Sequence, residues 1–270
     1  MRKTVPIYIL CQLALLTSCA SNMKLSNKKY GDKNLTGTAF YEMSKAYGHK
    51  LRDSLLIDSF FKEQVPEFFF NFRPVTVKHK DSSGKKYTIR FYCSPDYISI
   101  GNNADWARVP ITPMAAQLIA DSLNCFLPTP KMVDLIYQQS KVKLHPIPLD
   151  TFRDSTITMW QHHLLIEDQR KGKNGLISGI KKDIVICSKQ KLKGKVDRVA
   201  IYGWHKLDSK PIQPLYGGHV NWYVDYSHGA RMVYRKIKVK GSWMDYTEFF
   251  ANKSLSISLS DQGADLMLHY

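Results

Sequence analysis

Apolar residues recur along most of the chain with a period that changes from segment to segment. Over 51–65 (LRDSLLIDSFFKEQV) they return every three or four positions and stop before Pro66, which predicts an amphipathic helix. Residues 74–80 and 87–93 alternate instead. The Asp81-Ser82-Ser83-Gly84 stretch between them predicts a β-hairpin. Two helices carry their own start signals. Thr112 and Thr129 stand as N-caps, each with proline at the first helical position. Ala115, Leu118, Ile119 and Leu123 form the apolar stripe of the first, and Met132, Val133, Leu135 and Ile136 that of the second. A third helix is expected over 156–171. Four phenylalanines in 67–72 mark core. Short strands are expected at 96–101, 142–147 and 183–187, a long one at 230–240, and a capped helix at 243–251 before a strand-like tail. The pattern is that of an α+β fold: an early hairpin, three helices in the middle of the chain, and an antiparallel or mixed sheet in the C-terminal half. A single domain is expected over 36–270, in which 36–110 could form an N-terminal lobe.

The densest chemistry falls in 199–231, VAIYGWHKLDSKPIQPLYGGHVNWYVDYSHGAR. Three of the nine histidines (His205, His219, His228) lie here, among six tyrosines and tryptophans. Residues 199–204 are apolar on both parities, as in a strand covered on both faces. Over 218–226, Val220, Trp222 and Val224 alternate with His219, Asn221, Tyr223 and Asp225, which predicts a half-buried strand with a titratable upper face. Antiparallel pairing through a long connection, 206–218, would bring His205 towards His219. A turn at 227–229 would fold His228 back onto Asp225, the arrangement of a general base with an orienting carboxylate. Candidate catalytic residues are therefore His228, Asp225, His219 and His205. Tyr223, Tyr226, Trp222 and Arg231 are candidates for substrate contact. If a divalent metal such as zinc is bound, His228, Asp225 and His219 are its candidate ligands, although six extended residues separate His219 from Asp225 by roughly 20 Å. Trp204 and Trp222 are expected in the core, and Tyr216, Tyr223 and Tyr226 on an exposed stacking face. His162 and His163 on the third helix, and Lys181 and Lys182 at a strand start, are weaker candidates.

The first residues suggest an address. Arg2 and Lys3 precede an apolar run over 5–16, too short to span a bilayer and laid out like a secretory signal. Leu16-Thr17-Ser18-Cys19 resembles the lipobox of bacterial lipoproteins; the resemblance covers residues 1–19 only. It implies cleavage after residue 18 and lipid on Cys19, so that the chain is held to membrane lipid through that residue. No aspartate follows Cys19, which favours the outer membrane, facing the periplasm. Residues 19–35 are polar and are expected to form a flexible tether.

Charge narrows the classes. The formal net charge is +16, and removing 1–18 takes away Arg2 and Lys3 and no acid, leaving 37 − 23 = +14. Such a surface attracts anionic polymers or lipid headgroups, and a secreted address excludes nucleic acid as the partner. Of five cysteines, Cys93, Cys125 and Cys187 remain after Cys11 and Cys19 are assigned to the leader and the lipid. They allow one disulfide at most and have no metal-type spacing. The first functional expectation is an envelope hydrolase acting on peptidoglycan or another glycan or peptide polymer. The second is a glycan-binding or scaffolding lipoprotein without catalysis. A thiol peptidase built on Cys125 is a third.

Overall fold

A computed structural model describes residues 21–26, 34–192, 197–263 and 265–270. The fold is α+β, with seven helices and several antiparallel or mixed sheets among those residues. The largest sheet draws on both halves of the chain. The hairpin Asn71–Lys80 and Lys86–Cys93 pairs in the register set by the 81–84 turn, from Lys80 opposite Lys86 to Arg73 opposite Cys93. Val233–Tyr234 and Lys236–Val239 then add to Lys86–Cys93, where one unbroken 230–240 strand is expected from sequence. At the opposite edge Met23–Lys24 pairs with Asn71–Phe72, so part of the segment that its polarity assigns to a tether is bonded into the sheet.

Some of the helices pack on this sheet and others on the short Ser99–Gly101 and Trp106–Arg108 pair. α1 (Gly37–Ser44) is capped by Thr36 and α2 (His49–Phe61) follows it; α3 (Pro113–Ser122) and α4 (Pro130–Gln139) start as expected at Thr112 and Thr129, whose hydroxyls accept from Ala115 N and Met132 N. α5 (Thr156–Arg170) is capped by Ser155. Asp245 caps α6 (Tyr246–Ala251), and Ser242–Asp245 ahead of it is a strand. α7 (Lys253–Ser256) stands at the start of the tail that sequence assigns to a strand. The phenylalanines of 67–72 are core as expected, with Phe69, Phe70 and Phe72 in edge-to-face contact.

A second sheet carries the chemistry. Its order runs Pro211–Val220, Arg198–His205, Lys182–Ile184, His228–Gly229; the first two junctions are antiparallel and the last is parallel. The interior also holds several buried cations. Arg52, Arg108, Lys181 and Arg231 are each 1% exposed. Buried cations persist only when paired and hydrogen-bonded. Arg108 grips Asp96 with two bonds of 2.9 and 2.6 Å and reaches Glu167 at 2.8 Å. Arg231 donates to Ser94 O (2.7 Å) and Ile177 O (2.6 Å), and lies over the Tyr97 ring. It therefore ties three segments together from the inside, and the expectation that it contacts substrate is corrected by that burial.

Candidate functional site

His228 is buried in the edge strand His228–Gly229 of the second sheet. Asp225 begins a tight turn: its backbone carbonyl accepts from His228 N (3.1 Å), and its Oδ1 accepts from Ser227 N (2.8 Å) and Ser227 Oγ (2.5 Å). An aspartate that bonds its own backbone two residues on is a strong turn former, and this turn starts earlier than the expected 227–229. It carries the imidazole back so that Nε2 lies 3.8 Å from Asp225 Oδ1. That nitrogen is buried and has no hydrogen-bond partner. Arg153 holds the other carboxylate oxygen at 3.0 Å.

The electrostatics separate the two groups. Burial pushes the His228 imidazole down to about 4, against the pull of Asp225 and with help from Lys182. Burial opposes ionisation of Asp225, but His228, the Ser227 bonds and Lys182 outweigh it and hold the carboxyl down at about 2. Near neutral pH the pair is therefore a carboxylate beside a neutral imidazole, a base in its basic form. Lys182 lies opposite His228 in the parallel ladder, with its ammonium over the Trp204 ring.

His219 completes the line to solvent. Its ring lies 6.1 Å from His228, 4.6 Å from Tyr223 and 5.0 Å from Tyr216, centre to centre. It is half-buried, and burial, Lys182 and Arg153 lower its pKa while Asp225 raises it. The expected strand over 218–226 is broken, which explains how His219 and Asp225 come together. The strand Pro211–Val220 stops at Val220, Tyr223 N bonds Val220 O at 3.0 Å, and the chain turns at Asn221–Trp222. The 20 Å separation expected of extended residues disappears with that turn.

The other candidates are placed differently. His205 pairs across from Pro211, whereas His219 pairs across from Val199, so the two histidines stand at opposite ends of the hairpin. His205 instead bonds Asp134 at 2.8 Å and stacks on Tyr137, pinning the strand to α4. It leaves the catalytic set for that reason. Trp222, expected in the core, is 54% exposed and stacks on His49. Tyr226, expected on the exposed face, is 1% exposed; its Oη accepts from Leu149 N and its N donates to Arg153 O, which draws 149–153 against the site. Tyr223 is half-buried against both imidazoles, while Tyr216 is exposed. The His228, Asp225 and His219 trio does not converge as metal ligands: among the described residues no three His, Cys, Asp or Glu side chains are placed to hold an ion. Cys93, Cys125 and Cys187 are free and buried, and burial raises the Cys125 thiol far above its usual range, the opposite of an activated nucleophile.

Sequence reasoning gave Arg153 no role and could not rank Lys181. Lys181 Nζ donates to His162 Nδ1 at 3.0 Å and to Tyr226 O at 2.5 Å, and burial brings its pKa down to about 7. His162 and His163 are both buried and burial lowers both pKa values, so neither faces solvent as a site group. A cavity of about 530 Å³ lined by Leu149, Phe152, Ser155, Ile157 and Gln161 flanks the Arg153 loop.

No family model, curated protein or solved structure matches the chain.

Proposed function

We propose that this protein is a lipid-anchored hydrolase of the cell envelope, acting on peptidoglycan or another envelope glycan or peptide polymer through His219, His228 and Asp225. The observation that carries the proposal is the buried Nε2 of His228, unpartnered and 3.8 Å from a carboxylate. An orphaned buried nitrogen costs about 1–3 kcal/mol, and perturbed titratable groups concentrate at working sites. Burial decides the roles. His228 is 1% exposed, so His219, nearer solvent, is the imidazole that meets substrate. His219 takes a proton from the attacking water as its oxygen bonds the electrophilic carbon. The bond to the leaving group breaks, and the imidazolium returns the proton to it. Asp225 and His228 stabilise the charge that develops on His219, while Arg153, whose side chain is exposed, holds anionic groups of the polymer and the buried Lys182 adds positive potential behind it. The anchor is Cys19, which lies outside the described residues, and the periplasmic face of the outer membrane is the proposed location.

The exposed faces of Trp222, Tyr216 and Phe152, the last 80% exposed, favour the second reading, a glycan-binding lipoprotein without turnover. Incubating the purified mature protein with peptidoglycan separates the two. Release of soluble fragments that D225N lowers by about 10²-fold or more supports catalysis. Saturable binding without fragment release by the wild type supports the binding module and sinks the hydrolase.

A further inference from the structure

A second cavity lies away from the histidines, between the start of the first hairpin and the C-terminal end of α5. It is about 470 Å³ and is lined by Phe68, Arg73, Asn103, Trp106, Arg170 and Asn174, with Asp96 in its wall. That volume is within the range of roughly 300–1,000 Å³ typical of small-molecule sites. Its hydrogen-bonding inventory is lopsided. Both Asp96 oxygens are taken, Oδ1 by Arg108 Nε and Tyr97 N, Oδ2 by Arg108 Nη2. Asn103 Oδ1 accepts from Glu67 N at 2.8 Å, and Asn174 Oδ1 from Arg170 Nη1 at 3.3 Å. Arg170 is itself spent on Glu167, at 3.0 and 2.9 Å through Nε and 2.5 Å through Nη2. The groups left over are donors: the amide nitrogens of Asn103 and Asn174, and Arg73. Arg73 Nε is buried without a hydrogen-bond partner, and no carboxylate among the described residues forms an ion pair with the Arg73 guanidinium.

We infer that this cavity binds a small anionic ligand, a carboxylate or phosphate borne on a sugar-sized ring, with Arg73 as its principal contact. A wall whose side-chain acceptors are engaged and whose remaining side-chain groups are donors favours an acceptor-rich guest, and a free guanidinium fork matches a carboxylate or phosphate. Phe68 and the edge of Trp106 supply the apolar side on which a ring rests. Asn174 and Asn103 close on the anion from the exposed rim. The site is independent of the histidine cluster.

Isothermal calorimetry with glucuronate, glucose 6-phosphate, inorganic phosphate and neutral methyl glucoside tests the inference. Saturable binding of glucuronate or glucose 6-phosphate is expected, with the tighter of the two identifying a carboxylate or a phosphate guest, and no binding of methyl glucoside. Arg73→Gln should weaken binding by about tenfold or more, the loss of a charge-assisted pair. His219→Gln should leave it unchanged. Asn174→Leu, on the exposed rim, blocks the cavity without touching the core and must also weaken binding, so the test stands even if R73Q fails to fold. The inference is overturned if neither ring-borne anion binds saturably, if R73Q and N174L bind as the wild type does, or if H219Q abolishes binding.

Discussion

His228 stays neutral among charged neighbours because burial costs the imidazolium more than Asp225 returns. That has a sign for stability. A histidine depressed from 6.5 to about 4 binds its proton more readily when unfolded, so its contribution is complete above pH 6.5 and is lost as pH falls towards 4. His162 and His163 act in the same direction. Asp183, which burial raises to about 6, acts oppositely between 3.8 and 6, and so does Asp53, also raised by burial. The histidines outweigh them, and the melting temperature should fall as pH drops from 6.5 to 4. His228→Gln should flatten that fall, removing at most about 3 kcal/mol of pH-dependent stability. Scanning calorimetry of both proteins across this range checks it; a variant as steep as the wild type would mean that His228 is protonated in the native state. The Asp225–His228 pairing was legible because one short turn makes it. Lys181 and Lys182 are legible only as lysines at a strand start and Arg153 not at all, because all three reach the site through tertiary packing.

At the scale of elements, the signals that held were local ones. Thr112-Pro113 and Thr129-Pro130 are caps that need no tertiary partner, and the 81–84 turn sets its own register. The signals that failed were overridden by context. Residues 206–218 are expected from sequence as the connection between two strands, yet 211–220 form a strand at the edge of the second sheet, where proline is tolerated. With the strand placed there, the hairpin closes through 206–210, and His205 is carried to the far end from His219. Gly229 shows how tightly the opposite edge is built. A Cβ there would come within 2.6 Å of the Tyr97 ring and 3.0 Å of Lys181 Cβ, both buried. Gly229→Ala should cost about 1–3 kcal/mol through overpacking. It should also displace His228, so a lower melting temperature with altered imidazole resonances in NMR is expected. A variant with the wild-type melting point would show that the edge can yield.

At the scale of the molecule, the histidine cluster and the donor-lined cavity sit on one body that no described helix is long and apolar enough to insert into a membrane. The proposed attachment is the lipid on Cys19. Four residues span at most about 14 Å, so an anchor there would keep the Met23–Lys24 edge of the large sheet close to the bilayer surface. Cys19→Ala should move the protein from the membrane fraction to the soluble one, checked by fractionation and immunoblotting; unchanged membrane retention would remove the lipid anchor from the account. The central claim is chemical and concerns His219. Its most direct test is the rate at which the wild type and His219→Gln release soluble fragments from purified peptidoglycan, with the melting temperature of each recorded alongside. The account predicts turnover by the wild type and a loss of about 10²-fold or more in a variant that melts as the wild type does. Undiminished turnover in H219Q would contradict it.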